Sequence, residues 1–278
     1  AWMGRRPQAI PPSHFSALVT AQAHRGPDGL GERQTGAYRL AQQNFHLSPH
    51  SAAGPFEDHG VILLLAGRLD HRERLATALK LPLASTDAEL VMAAYRRWDT
   101  GWLDHSHGSV AAVIVDVPRQ RLLACRDELG KVPLHYHIAP GFLLMASEPA
   151  VFLHHEDIGR EPDRHWLAYY FSGLATEPGA DTAFAQVQSL LPGQTLLYEE
   201  DRVQFFSARR RLGQSRLRFP RDADYAEQFR VLLEASIANV TAGHERVGIM
   251  LSGGMDSCPA ACLTARRFRE TGQRLTAH

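Results

Sequence analysis

Short apolar runs separated by turn-rich spacers dominate the first half of the chain. The continuous run Val61–Leu65 is typical of a buried strand, because a strand covered on both faces needs no polar alternation. Four further runs follow at close spacing: Val110–Asp116, Arg121–Cys125, Leu134–Ile138 and Phe142–Ala146. Their spacers contain Pro or Gly, which predicts consecutive antiparallel pairings. With helices interspersed, these strands fit two packed β layers.

Helices and a hairpin complete this part of the chain. Asp87–Trp98 has its apolar residues on one side at a 3.6-residue period, which predicts an amphipathic helix. Asp163–Ser172 is predicted as another helix, and Gln194–Glu199 with Val203–Phe206 as a hairpin. We therefore expect residues 1–208 to form an α+β domain.

The pattern changes after a basic, irregular stretch at Arg209–Arg221, which is predicted as a linker. Asp222–Ala242 is strongly periodic and predicts a helix, Val247–Leu251 a buried strand, and Asp256–Thr271 a second helix. Helix, strand, loop and helix in this order are the start of a doubly wound α/β domain with a parallel sheet. Residues 222–278 are thus expected to be the truncated beginning of such a domain.

Composition and charge narrow the class. The chain has 278 residues, 44% of them hydrophobic and 22% charged, as in soluble proteins with two domains. With 30 basic and 30 acidic residues, nothing favours nucleic acid or an anionic membrane as a partner. Its apolar runs are shorter than the roughly 20 residues that span a bilayer. The start of the chain does not resemble a signal peptide, so a cytoplasmic location is expected.

The segment Leu251–Ser257, with the sequence Leu-Ser-Gly-Gly-Met-Asp-Ser, has the chemistry of a phosphate-binding loop. Gly253 and Gly254 allow positive φ and a close approach of the backbone to a ligand. A strand-to-helix turn aims N–H groups and the positive helix end at one point, and Ser252 and Ser257 add hydroxyl donors. Asp256 has the wrong charge for phosphate and therefore implies a Mg²⁺ ion between them. The loop lacks the Gly-Lys-Ser/Thr of a Walker A motif.

This loop resembles the pyrophosphate loop of the N-type ATP pyrophosphatases, with ATP and Mg²⁺ as cofactors. The resemblance implies that a carboxylate attacks the α phosphate of ATP, forming an acyl-adenylate and pyrophosphate, and that an amine then displaces AMP. Leu251, Ser252, Gly253, Gly254, Asp256 and Ser257 would form the ATP site, with Asp256 as the Mg²⁺ ligand.

Other segments resemble the asparagine synthetase family over the whole chain. His24–Gly29 is similar to a loop near the start of class II glutamine amidotransferase domains, and Arg126–Leu134, Ser147-Glu148 and Leu191–Gly193 are similar to later segments. The resemblance implies an antiparallel αββα sandwich of the Ntn-hydrolase type. An adenine nucleotide alpha hydrolase-like domain would follow it. It also implies an ATP-dependent carbon–nitrogen ligase.

This chain departs from the family's pattern in the residues for glutaminase chemistry. The family's nucleophile is an N-terminal cysteine whose own amine is the base. The chain starts at Ala1, and Cys125 falls in the middle of a strand, so no catalytic residue of this kind is visible.

The glutamine pocket departs as well. Asn44 aligns with the arginine that grips the glutamine carboxylate. Ala66-Gly67-Arg68 aligns with an Asn-Gly-Glu segment that supplies oxyanion donors and a carboxylate for the substrate's ammonium. Asp87 matches the remaining substrate-binding aspartate. These pocket remnants favour a degenerate glutaminase, as in lasso-peptide cyclases and β-lactam synthetase, where the amine comes from the substrate itself.

Two other hypotheses stay open. One is a working glutamine-hydrolysing asparagine synthetase, with Arg68 pointing into solvent and the nucleophile lying before Ala1. The other is a non-catalytic scaffold or partner-binding module. The expected partner is a small-molecule or peptide carboxylate, and a homodimer is possible. The sequence does not identify the acceptor.

Overall fold

The computed structural model of the protein describes residues 2–4, 12–173, 179–207 and 217–278. The chain separates into two compact units, Ala1–Arg209 and Arg210–His278. Of the predicted linker, residues 209–216 lie outside the described part.

The first unit is built mainly of strands. Its strands are β1 (Trp2–Gly4), β2 (Leu30–Thr35), β3 (Tyr38–Gln43), β4 (Phe56–Asp58), β5 (Val61–Asp70), β6 (His107–Asp116), β7 (Arg121–Arg126), β8 (His135–Ala139), β9 (Phe142–Ala146), β10 (Gln188–Ser189), β11 (Gln194–Glu199) and β12 (Arg202–Ser207). Its helices are α1 (Pro12–Thr20), α2 (Arg72–Leu79), α3 (Asp87–Trp98) and α4 (Arg164–Phe171). Short 3₁₀ segments lie at Ala23–Arg25, Asp99–His105 and Pro149–His154.

The strands form two six-stranded sheets. Sheet I has the order β10-β8-β9-β1-β3-β2, and sheet II the order β12-β11-β7-β6-β5-β4. Neighbouring strands in both sheets are antiparallel. The predicted consecutive pairings are confirmed for β6–β7, β8–β9 and β11–β12. The pairing of β7 with β8 is wrong, because these strands lie in different sheets and β7 pairs with β11.

Three apolar layers hold the unit together. Between the sheets, Ile62 and Val113 of sheet II pack with Leu143 of sheet I. On the other face of sheet II, strand residues such as Ile114 pack against α3. The outer face of sheet I is covered by α1 and the 3₁₀ segment at Pro149–His154. The order of layers is helix, sheet, sheet, helix, so the expected antiparallel αββα sandwich is confirmed for this unit.

The second unit contains α5 (Asp222–Thr241), β13 (Arg246–Ile249), α6 (Ser257–Thr271) and β14 (Arg274–Ala277). The two strands are parallel, with Arg246 opposite Arg274, so β13, α6 and β14 form one β–α–β crossover. The predicted order of elements therefore matches the structure.

The apolar side of α5 differs from what its periodicity suggests. Of the apolar positions, Ile237 is buried, whereas Phe229 is 67% exposed and Leu232 55% exposed. Within the described part of the second unit, α5 packs mainly against α6, and one neighbouring helix covers only part of its apolar side. Among the described residues, no helix combines the length and apolarity that a membrane crossing needs.

The start of α3 is fixed by a complete capping box. Thr86 Oγ1 accepts from the backbone N–H of Glu89 at 3.2 Å, and the Glu89 carboxylate accepts from the N–H of Thr86 at 2.6 Å. Two of the backbone donors at the start of the helix are thereby satisfied. The box sets where α3 begins, and so places Asp87 in its first turn.

A buried polar network ties α3 to sheet II. The Tyr95 hydroxyl donates to Asp116 Oδ2 at 2.6 Å and accepts from Arg121 Nη2 at 2.8 Å. Burial and the hydrogen bond to Asp116 raise the pKa of Tyr95 well above its ordinary value. The hydroxyl therefore stays protonated and keeps donating to the carboxylate. Arg121 also pairs with Asp99 at 2.5 Å, which closes the network.

We expect Tyr95→Phe to lower the free energy of unfolding by about 1–3 kcal/mol, because it leaves Asp116 and Arg121 without a shared buried partner. The measurement is urea unfolding followed by far-UV circular dichroism. Tyr170→Phe is the matched control, since Tyr170 is 66% exposed. Equal stability of the two variants would show that the network contributes nothing.

Candidate functional site

A cavity of about 270 Å³ opens in the first unit between the two sheets and beneath α1. Its walls come from β3, β5, β9 and α1, and apolar side chains such as Leu64, Val113 and Met145 form its interior. Of the pocket residues predicted from sequence, Ala66 and Gly67 line it, whereas Asn44, Arg68 and Asp87 do not. The structure therefore brings only part of the predicted set to the cavity.

Asn44 is buried and its amide is used internally. Its Oδ1 accepts from the backbone N–H of Gly54 at 2.9 Å and from Gln42 Nε2 at 3.1 Å. Gln42 in turn accepts from the backbone N–H of Leu65 at 3.0 Å. This chain of hydrogen bonds joins β3 to β5. Asn44 thus holds the scaffold together and carries no charge that could grip a carboxylate.

Gly67 sits where no side chain fits. Its φ is +100°, and a Cβ there would lie 1.9 Å from the carbonyl oxygen of Ser109 on the neighbouring strand. Glycine is required by both the backbone conformation and this close approach. Beside it, Ala66 is exposed and has no side-chain donor.

Arg68 follows Gly67 on β5 and has a partner on its own strand. Its Nε donates to Asp70 Oδ1 at 3.1 Å, and its side chain is 20% exposed. The alternative that Arg68 points freely into solvent is therefore wrong. The pair places a cation, partly buried, in the segment where a carboxylate would be needed for an ammonium ligand.

Asp87 is buried and its charge is already neutralised. Arg72 Nε donates to Asp87 Oδ1 at 2.6 Å, with the two side chains 13% and 3% exposed. Asp87 Oδ2 also accepts from the backbone N–H of Leu69 at 3.1 Å. Arg72 extends further to the carbonyl oxygen of Ser85, so the pair also holds the loop before α3.

Arg72 was not singled out from the sequence. It lies on α2, 15 positions before Asp87, a separation that follows no helix or strand period. The sequence did offer one chemical indication that Asp87 has a cationic partner. A carboxylate that is buried at the start of an apolar helix needs a cation close to it.

The segment Arg126–Leu134 is explained by its backbone contacts. Arg126 donates to the carbonyl oxygens of Val132 at 3.0 Å and Leu190 at 2.6 Å. The Asp127 carboxylate, 3% exposed, accepts from the N–H groups of Lys131 and Val132, each at 3.3 Å. The two charged residues fix a turn that brings Val132 against Gly67. Their role here is to shape one wall of the cavity.

Cys125 lies on β7 in the core between sheet II and α3, 1% exposed. Burial raises the pKa of its thiol to about 11. The Thr195 hydroxyl lies 3.5 Å from its sulfur and donates to it. A thiol with this pKa is protonated at neutral pH, so Cys125 is a core residue and not a nucleophile.

In the second unit, the loop between β13 and α6 is exposed and closed on itself. Ser252 Oγ and Ser257 Oγ are 3.0 Å apart, and the backbone N–H of Ser252 donates to Ser257 Oγ at 3.2 Å. Gly253 has φ +77°, which only glycine adopts readily, whereas Gly254 has no positive φ. Gly253 therefore provides the positive φ that the turn needs, and Gly254 does not. The hydroxyls occupy N–H groups that an anion would otherwise bind.

Asp256 precedes α6 and is exposed, without a hydrogen bond to the first turn of the helix. Within the described ranges, no group of three His, Cys, Asp or Glu side chains is placed to hold a metal. Mg²⁺ is commonly held by one or two carboxylates together with substrate phosphates and waters. The exposed Asp256 carboxylate, beside the loop between β13 and α6, has the chemistry that this mode of binding requires.

Comparison with known proteins identifies the family. Residues 3–210 match the glutamine amidotransferase domain, so the chain belongs to that family. Amidase chyE of Penicillium rubens is 29% identical and covers 89% of this chain and 38% of its own length. Glutamine-hydrolyzing asparagine synthetase 3 of Bacillus subtilis is 26% identical and covers 92% of this chain and 43% of its own length. The chain spans less than half the length of these two relatives.

Among solved structures, the glutamine phosphoribosylpyrophosphate amidotransferase from B. subtilis is similar to this chain. The superposition covers 99% of this chain and 64% of that one. The sequence identity is 14% and the TM-score is 0.49.

We expect Asp87→Asn to lower the free energy of unfolding by about 3 kcal/mol, because it leaves the Arg72 charge buried without its partner. Glu73→Gln, in the exposed first turn of α2, is the control for loss of a negative charge. The double variant Arg72→Met/Asp87→Asn should cost less than the sum of the single changes. Additive costs in urea unfolding would mean that the two side chains do not act as a pair.

Proposed function

We propose that the full-length protein is an ATP-dependent carbon–nitrogen ligase. It adenylates a carboxylate, releases pyrophosphate and joins the acyl group to an amine. The observation that carries this proposal is the Ser-Gly-Gly-Met-Asp-Ser loop between a parallel strand and the 15-residue helix α6. Backbone N–H groups at such a helix start are the donors that bind phosphate.

The relatives support this assignment. The first unit makes up about three-quarters of the chain, whereas the alignment with the asparagine synthetase covers 92% of it. That alignment therefore extends into the second unit, which contains the loop. Both relatives are much longer than this chain, so the substrate of the whole protein remains a proposal.

The residues of the loop divide the work of phosphate binding. Ser252 and Ser257 now satisfy each other, and a phosphate oxygen would replace the contact between their hydroxyls. Because Gly253 holds the turn open, the phosphate can reach the backbone. Asp256 would hold Mg²⁺, which neutralises negative charge on the leaving pyrophosphate when bound.

The amine, we propose, comes from the substrate and not from glutamine. A free amino acid needs a cation for its carboxylate and an anion for its ammonium. Asn44 carries no charge, Arg68 reverses the expected sign, and Asp87 is neutralised by Arg72. These features favour a lasso-peptide cyclase-like or β-lactam synthetase-like enzyme acting on a small-molecule or peptide carboxylate.

The second candidate is a glutamine-hydrolysing asparagine synthetase. Its support is the Asp87 carboxylate, which is present at the substrate-binding position, and the similarity to the Bacillus subtilis enzyme of that name.

We expect Asp256→Ala to abolish ATP–pyrophosphate exchange in the full-length protein and to weaken binding of Mg²⁺–ATP at least about tenfold by isothermal titration calorimetry. Binding of ATP in EDTA should change little, because Asp256 acts through the metal. Asp222→Ala, at the exposed start of α5, is the control. Wild-type exchange in Asp256→Ala would refute the assignment of the loop, and wild-type protein that binds no ATP would favour a scaffold.

We also expect the full-length protein to release no glutamate from glutamine, with or without ATP. The measurement is a coupled glutamate assay over a range of enzyme concentrations. Turnover above about 0.1 s⁻¹, well inside the enzymatic range, would favour the second candidate.

A further inference from the structure

The cavity between the sheets has an apolar interior and a mouth rich in hydrogen-bond donors. Among its described lining residues are Gln22, Arg25 and Lys131, and no Asp or Glu. Gln22 uses its Oε1 to accept from the backbone N–H of Ser147 at 3.1 Å, which leaves its amide N–H groups as donors. Arg25 donates through Nη1 to Glu148 at 2.8 Å, and Glu148 does not line the cavity. The polar character of the mouth therefore suits an acceptor, and in particular an anion.

Lys131 is the cation best placed to meet such a ligand. It is exposed, and within the described part of the chain it forms no salt bridge. Its backbone is held by Asp127, in the turn whose Val132 lies against Gly67. The backbone of Lys131 is thus held in the cavity wall, and its exposed side chain lies where the cavity meets solvent.

We propose that this cavity binds a small carboxylic acid with an apolar body and no ammonium group. The carboxylate would meet Lys131 and the donors of Gln22 and Arg25, while the body replaces water against Leu64, Val113 and Met145. The volume, about 270 Å³, is slightly below the usual range for drug-sized ligands, roughly 300–1,000 Å³, and therefore suits a small acid. This inference rests on the proposed loss of glutamine recognition, since it assigns the cavity to a different ligand.

The charge balance separates this ligand from glutamine. Two carboxylates lie beside the cavity, and both are already paired. Glu148 is paired with Arg25 at 2.8 Å. Asp87, which lines a neighbouring space of about 20 Å³, is paired with Arg72. An α-ammonium would therefore lose contacts with water in the cavity without gaining a counter-ion, which disfavours its binding. An aliphatic acid avoids that cost and gains from burial of its chain.

Octanoate is the probe, and methionine methyl groups labelled with ¹³C in the full-length protein report where it binds. Met145 lines the cavity and is 2% exposed. Met92 is equally buried but lies in the core between α3 and sheet II, and Met250 and Met255 are exposed in the second unit. We expect octanoate to shift the Met145 signal in a saturable way and to leave the signals of Met92, Met250 and Met255 in place. Octylamine and glutamine should shift none of them.

Charge reversal tests the cation. We expect Lys131→Glu to weaken octanoate binding at least about tenfold, because a glutamate at this position would repel the carboxylate of the ligand. Lys80→Glu, at the exposed end of α2, changes the net charge equally and should have no effect. An unchanged affinity in Lys131→Glu, or octanoate shifts at Met92, Met250 or Met255, would overturn the inference.

The outcomes also separate this inference from the proposed function. If Mg²⁺–ATP shifts Met255 and glutamine is not hydrolysed, but octanoate leaves Met145 unchanged, only the cavity assignment fails. If glutamine shifts Met145 and is hydrolysed, the proposed loss of glutaminase activity fails together with the inference.

Discussion

The fold depends on burying both faces of the central strands of sheet II. Val110–Asp116 on β6 and Arg121–Cys125 on β7 are buried without interruption. Alternate residues face α3 on one side and sheet I on the other, as with Ile114 and Val113. Both α3 and sheet I depend on sheet II for their packing, because each of them covers one of its apolar faces. The strand residues that line the cavity, such as Leu64 and Val113, are positioned by this packing.

Because this packing leaves little solvent near the sheets, charged side chains are costly there unless they are paired. In the first unit, several buried or partly buried charges form such pairs. Asp116 and Arg121 share the Tyr95 hydroxyl, Asp87 is paired with Arg72, and Arg68 with Asp70. Each pair satisfies a charge locally in a region of low solvent access, where an unpaired ion would be costly. The consequence for function is that several charges of the predicted pocket are spent within the scaffold. What remains at the cavity mouth is a set of donors with a net positive character.

The two candidate sites are of different physical kinds. The loop at 251–257 is a local structure, formed by consecutive residues between a strand and a helix, and its donors depend on helix geometry. The cavity is formed by residues from β3, β5, β9, α1 and the turn after β7, which are far apart in sequence. A change at one residue of the loop is expected to act directly on the phosphate ligand that we propose for it. A change around the cavity acts through the packing of both sheets.

That difference also divides what could be known from the sequence. The strands at Val61–Leu65 and Val110–Asp116, the helix at Asp87–Trp98 and the order of elements around the loop followed from periodicity and turn residues, since these are local properties. The partners of Asp87 and Asn44 and the exposure of Phe229 were decided only by the tertiary structure. Burial and pairing depend on which distant residues meet, and a pattern along one chain does not specify the distance between side chains on different elements.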